Sequence, residues 1–124
     1  PKGSEGAKAA MKALRDGRHL GMLVDQKMND GIEARFFGRP AMTAPALALF
    51  ALKFKCPVVP ARVIRKNGAR FEVEIQPPLE LPEPSGDRQQ DILNLTQAVN
   101  DRLEEWIREA PEQWLWVHRR WPKD

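Results

Sequence analysis

The chain has 124 residues, 42% of them apolar and 30% charged, with a net charge of +3. Such a length supports one compact domain or part of a larger one, and apolar residues recurring in periodic runs exclude a disordered tail. The longest apolar run, Pro45 to Leu52, is eight residues, well short of the ~20 that a membrane-spanning helix requires. The single cysteine, Cys56, excludes a disulfide framework within the chain and fits a reducing compartment.

Gly6 to Gly17 has the spacing of an amphipathic helix. Ala7, Ala10, Met11 and Leu14 recur at helical intervals, basic residues lie between them, and Gly17 is a C-terminal stop. Leu20 to Val24 is too short for a helix and suits a buried strand that ends at Asp25. Lys27 to Gly31 is expected to be a polar turn, and Ile32 to Phe37 a second strand closed by Gly38. Thr43 is positioned as an N-cap, with Pro45 in the first turn of a helix reaching about Lys55. This helix is apolar nearly all round, so it should be buried or face lipid.

Pro57 to Ile64 is expected to be a strand, and Asn67-Gly68 a hairpin turn with positive φ at both residues. The return strand, Arg70 to Ile75, puts Phe71, Val73 and Ile75 on one face and Arg70, Glu72 and Glu74 on the other. Pro77 to Pro84 is a proline-rich surface connection. Asp87 then caps a long helix, with Gln90 completing a capping-box pattern. Ile92, Leu95, Val99, Leu103 and Trp106 form its apolar stripe, which stops before Pro111. The closing segment, Glu112 to Trp121, holds three of the four tryptophans.

The order helix, strand, strand, helix, strand, strand, helix predicts an α/β fold. Two helix-linked crossings predict a mostly parallel sheet with flanking helices, and Asn67-Gly68 adds one antiparallel hairpin. Ligands of such sheets bind beyond the carboxyl ends of the strands, where Asp25 and Gly38-Arg39 are expected. Charge is uneven: residues 1–80 carry +6 and residues 81–124 carry −3, so the first stretch suits an acidic partner such as a phosphate, an anionic lipid surface or an acidic carrier protein.

No complete catalytic apparatus is legible. His19 and His118 are far apart, which argues against a clustered metal site. A strand between His19 and Asp25 would hold them beyond hydrogen-bond reach. Nucleophile elbows, phosphate-binding glycine loops and metal-ligand spacings are missing from the sequence. Asp25-Gln26 reads either as a turn cap or as part of a site. Phe36-Phe37-Gly38-Arg39 reads either as a strand end or as an apolar floor, a close backbone approach and an anion-binding guanidinium.

Four blocks, in order, carry a resemblance. They are Leu23-Val24-Asp25-Gln26 with Gly31, Phe36 to Arg39 with Ala41 to Pro45, Cys56 to Pro60, and Pro111 to Trp121. Together they resemble the C-terminal portion of the late lipid A acyltransferases, the lauroyl/myristoyl transferases of Gram-negative bacteria. The resemblance implies a glycerolipid-acyltransferase-like fold, incomplete in this chain, with an N-terminal membrane helix and catalytic segment outside residues 1–124. It implies transfer of an acyl chain from acyl carrier protein to a hydroxyl of a lipid A precursor, at the cytoplasmic face of the inner membrane. No cofactor and no metal are expected.

The family's catalytic pair is a histidine followed five residues later by an acid. His19 and Asp25 are six apart, so the chain by itself is expected to be inactive, with no catalytic residue of its own. Carried over by position, Asp25, Gln26, Phe36, Phe37, Gly38, Arg39 and Thr43 shape the acceptor and acyl-chain site. The resemblance assigns Arg39 to contacting a phosphate or the carrier's acidic surface. The alternative is a non-catalytic basic module for anionic lipid, acyl carrier protein or nucleic acid. Arg119, Arg120 and Trp121 would carry nucleic-acid binding, although no nucleic-acid-binding signature accompanies them and none is expected as a partner.

Overall fold

A computed structural model describes residues 3–123. In chain order its elements are α1 (Gly3–Arg15), β1 (Lys27–Phe36), β2 (Arg39–Thr43), α2 (Ala46–Phe54), β3 (Ala61–Arg65), β4 (Phe71–Ile75), α3 (Arg88–Glu109) and a 3-10 turn, Pro111–Gln113.

Helix α3 is the spine. Asp87 starts it by accepting hydrogen bonds from the Gln89 and Gln90 backbone N–H groups, which satisfies donors that have no intrahelical partner. Its apolar stripe packs on α2, where Ala48 and Ala51 are buried against Leu95, with Leu52, Val58, Leu79 and Ile92 around them. Small residues on α2 let the two helices approach closely. Beside that stripe runs a second one at spacing four, Thr96, Asn100 and Glu104, which is buried although polar. It faces the first hairpin.

The described strands form two antiparallel hairpins, β1–β2 and β3–β4. In the first, Phe36 pairs with Arg39, Ala34 with Ala41 and Ile32 with Thr43. In the second, Arg65 pairs with Phe71, Val63 with Val73 and Ala61 with Ile75. Each hairpin has one outer edge tied to the α3 unit by a glutamine amide. Gln97 accepts from Arg35 N at 2.8 Å and donates to Arg35 O at 3.1 Å. Gln113 does the same for Arg65, at 3.0 and 3.1 Å. At one position of each edge the amide takes the place of a neighbouring strand, satisfying backbone groups that edges leave open.

Several expectations are corrected. Leu20 to Val24 is not a strand but an irregular segment with Leu23 86% exposed. An apolar run marks a segment suited to burial, whereas a strand also needs a hydrogen-bonded partner, and neither hairpin supplies one. Lys27 to Gly31 is not a turn but the start of β1, with an irregularity that lets both Lys27 and Ile32 partner Thr43. A Cβ on Gly31 would collide with the Thr43 carbonyl oxygen, so the bend depends on glycine there. Thr43 is not the N-cap of α2. It belongs to β2, a strand absent from the sequence reading, and Pro45 occupies the cap position without a side-chain hydrogen bond.

Helix α2 buries Ala48 and Ala51 and leaves Leu49 exposed. Strand β3 begins at Ala61 rather than Pro57. In the Asn67-Gly68 turn only Gly68 has positive φ, at 62°, because the loop is one residue longer and closes through Lys66 N to Arg70 O. Gln90 does not complete the capping box; its side chain donates to Asn94, while Ser85 Oγ accepts from Asp87 N. No parallel strand pair occurs among the described residues.

The β3–β4 hairpin is oriented with its charged face inward. Arg62 bonds Glu74 at 3.0 Å and Glu109 at 2.8 Å, and its guanidinium lies 5.2 Å from the Trp106 ring centroid. The apolar face points outward, with Phe71 55%, Val73 64% and Ile75 68% exposed.

Candidate functional site

The site is built around a two-residue turn. Phe36 pairs with Arg39 across it, and Phe37 and Gly38 have φ of 51° and 72°, the left-handed geometry that matches the twist of a tight hairpin. Glycine adopts it freely. A phenylalanine there is strained by roughly 1–2 kcal/mol, so the surroundings must hold it. Phe37 N donates to Glu104 Oε1 at 2.6 Å, its ring meets Phe36 edge-on at 4.9 Å, and the Arg108 guanidinium lies 4.8 Å from its centroid. Glu104 Oε2 is 3.0 Å from Arg108.

Phe36 is fully buried and collects the closing segment around itself. Trp121 stacks on it at 5.5 Å, Trp114 meets it edge-on at 5.8 Å, and Trp121 Nε1 donates to Phe36 O at 2.9 Å. Trp116 stacks on Trp114 at 5.7 Å. Arg39 reaches over Trp121 from β2, 5.8 Å from the ring centroid.

Arg120 threads through this cluster and is 1% exposed. Its guanidinium lies 4.9 Å from the Phe36 centroid. It donates from Nη1 to Met42 O at 3.0 Å and from Nη2 to Thr43 Oγ1 at 2.8 Å. Burial pulls its pKa below the usual guanidinium value, and the charge of Asp25 partly opposes that shift. Thr43 Oγ1 also donates to Ala41 O at 2.9 Å and receives Asn100 Nδ2 at 3.4 Å. Asp25 Oδ2 accepts from Trp114 Nε1 at 3.3 Å.

Of the residues singled out in the sequence, Asp25, Phe36, Phe37, Arg39 and Thr43 thus meet in one cluster. Gly38 completes the turn, its carbonyl receiving Arg35 Nη1 at 3.0 Å. Gln26 is exposed. Asp25 is not at a strand end, since the segment before it is irregular. Arg120 corrects the nucleic-acid alternative: a buried guanidinium bonded to Met42 and Thr43 is not available to a phosphate backbone.

Asn100, Glu104, Arg108 and Trp114 join the site without having been assigned to it from the sequence, and Arg120 joins it in a role other than nucleic-acid binding. The spacing of Thr96, Asn100 and Glu104 was the available signal for two of them. Nothing local in the sequence distinguishes buried Arg120 from exposed Arg119.

Asp25 and Trp114 also belong to a second feature. Together with Met22 to Val24, β3 and α3 they wall a groove of about 300 Å³ whose lining includes Leu47, Val58, Leu103 and Trp106. The groove is apolar along its length and polar where Asp25, Arg62 and Arg102 enter it. An apolar trough beside an aromatic and arginine-rich cluster fits an amphiphile, with hydrocarbon in one part and a charged group in the other.

Neither His19 nor His118 has a hydrogen-bond partner among the described residues, and both are exposed. Among those residues no group of three or more His, Cys, Asp and Glu is arranged to hold a metal ion.

The profile of the bacterial lipid A biosynthesis acyltransferases matches residues 1–123. The chain belongs to that family. No curated protein matches the sequence. Membership of this acyltransferase family gives the groove and cluster a chemical setting: an acyl group moves in lipid A biosynthesis, and both participants in such a transfer carry hydrocarbon. No described helix of the acyltransferase chain is long and apolar enough to cross a membrane.

Proposed function

We propose that this segment forms the acceptor side of an acyltransferase that moves a fatty acyl chain from acyl carrier protein to a hydroxyl of a lipid A precursor. The observation that carries this reading is the continuity of the apolar groove with the cluster at Asp25 and Trp114. Hydrocarbon fits the groove, and a polar headgroup fits the exposed side of the cluster, where Arg39 contacts its phosphate. Asp25, the Phe37-Gly38 turn and Thr43 shape the wall between them, and Gln26 extends it on the exposed side.

The reaction itself requires a base for the acceptor hydroxyl and positive groups for the thioester oxyanion. In this proposal a histidine–acid pair in a preceding segment supplies the base, and this chain is inactive without it. The outward apolar face of β4 supports a polypeptide neighbour there. The working location is the cytoplasmic face of the inner membrane.

Acyl transfer from acyl carrier protein tests the reading directly. Residues 1–124 alone should show none, and the protein with its preceding segment should show turnover. Turnover by the chain alone would overturn the division of labour. Arg39→Ala in the longer protein should raise the Michaelis constant several-fold with an unchanged melting curve. Unchanged kinetics would remove Arg39 from the site.

A further inference from the structure

No residue of α1 is buried. Its inner side, Ala10, Met11, Ala13 and Leu14, is half-buried, whereas Lys8, Lys12 and Arg15 are exposed. At 3.6 residues per turn these three basic positions fall within about 60° of one another around the helix axis, opposite the half-buried side. Lys53 of α2 joins them, its Nζ lying 3.9 Å from Met11 Sδ, and by helical position Met11 flanks the stripe on the Arg15 side. Glu5 and Asp16 flank it on the Lys12 side, where Asp16 is bonded to Lys12 at 2.6 Å. Among the described residues no carboxylate pairs with Lys8, Arg15 or Lys53. Residues 34–71, α2 included, hold eight Lys and Arg and no Asp or Glu, so nothing on α2 neutralises this ridge.

We infer that the ridge of Lys8, Lys12, Arg15 and Lys53 is the docking surface for an acidic protein, the acyl carrier of the proposed reaction. The inference rests on the acyl-transfer reading only for which acidic protein docks. Charge complementarity of this exposed kind steers encounter and fixes orientation more than it adds affinity, which suits a donor that must leave after each transfer. A lipid surface fits less well. A helix lying in a membrane interface sinks its apolar face among the lipids, but the apolar side of α1 is turned towards the protein, and its exposed residues include no large apolar side chain. The ridge also adjoins the groove. Met22 to Asp25 and Leu47 of α2 line that groove, and the seven-residue step from Arg15 to Met22 spans at most about 25 Å. A carrier seated on α1 is thereby held beside the place where hydrocarbon fits.

The test measures fluorescence anisotropy of labelled acyl carrier protein against the longer protein, native and with Lys8→Glu/Arg15→Glu. A second pair, Lys66→Glu/Arg70→Glu in the β3–β4 turn, makes the same change of net charge elsewhere. Native protein should bind, more weakly as salt rises. Reversal on α1 should weaken binding roughly tenfold, and reversal in the turn should leave it within about twofold of native. Lys8→Gln/Arg15→Gln should give a smaller loss in the same direction, and it carries the test if the reversed helix melts early. Native affinity retained by both α1 pairs, with matching melting curves, would overturn the inference. Equal losses from the α1 and turn reversals would also overturn it, as an effect of net charge alone. So would loss of binding to phosphatidylglycerol vesicles in the α1 pairs while carrier binding is unchanged, since α1 would then face lipid. Carrier binding that depends on α1 in a protein with no acyl transfer would uphold the docking surface and sink only the transferase reading.

Discussion

Arg120 offers the sharpest test of how the closing segment is held. Replacing it with alanine removes donors from Met42 O and Thr43 Oγ1, the stacking on Phe36, and most of the volume of a side chain that is 1% exposed. Hydrogen bonds from a charged donor contribute about 1.5–3 kcal/mol each. Against them stands the cost of desolvating the guanidinium, visible as its lowered pKa, and of leaving its Nε without a partner. The cavity left by a fully buried side chain adds to the lost bonds. Arg120→Ala should therefore destabilise by about 3–5 kcal/mol, the two bonds and the cavity together less the recovered desolvation.

Arg120→Met retains volume and removes the charge. It loses the same two hydrogen bonds but recovers the desolvation cost, so it should destabilise by only about 1–2 kcal/mol. Thr43 Oγ1 keeps Asn100 as a donor, which limits the loss further. Urea unfolding followed by tryptophan fluorescence measures both, since Trp114 and Trp121 report on the cluster. If the alanine variant were as stable as the methionine variant, or if both stayed within about 0.5 kcal/mol of native, Arg120 would not be the anchor described.

Gly31→Ala should cost about 1–3 kcal/mol by overpacking, because its Cβ meets the Thr43 carbonyl, a backbone atom that cannot swing away; thermal unfolding checks it, and an unchanged midpoint would mean that the β1 bend is soft. Two carboxyls give an acid dependence. Hydrogen bonds from Gln76 and Arg62 hold Glu74 below the ordinary carboxylate range, and those from Ser85 do the same for Asp91. The unfolded chain therefore takes up these protons first, so their contribution is complete above the ordinary carboxylate pKa of about 4. It fades as pH falls through the lower folded values. Glu74→Gln with Asp91→Asn should flatten the loss of stability in that window, and a slope identical to native would show that neither carboxyl governs it.

Much of the helical structure was legible. The stripe from Ile92 to Trp106 and the Asp87 cap define α3 locally, because a 3.6-residue period and an oxygen placed for two N–H groups are properties of neighbouring residues. Strands were less legible. Leu20 to Val24 has strand composition without a strand's partner, and β2, with Arg39, Pro40 and Met42 among its five residues, has a partner without strand composition. The family blocks marked Asp25 and Phe36 to Arg39, whereas Asn100, Glu104 and Arg108 entered the site only through α3 crossing the hairpin.

Sequence alone determined the periodic elements, the polar and apolar faces of α3 and β4, and the family blocks, because each depends on residue order over a few positions. Tertiary structure decided which face of β3–β4 turns inward: Arg62 finds Glu74, Glu109 and Trp106 together only once α3 lies beneath the hairpin. It also decided that Arg120 is buried while Arg119 is exposed. Two adjacent arginines have the same intrinsic hydration, and only the acceptors and the ring waiting on one side, some 80 residues distant in sequence at Met42, Thr43 and Phe36, distinguish them.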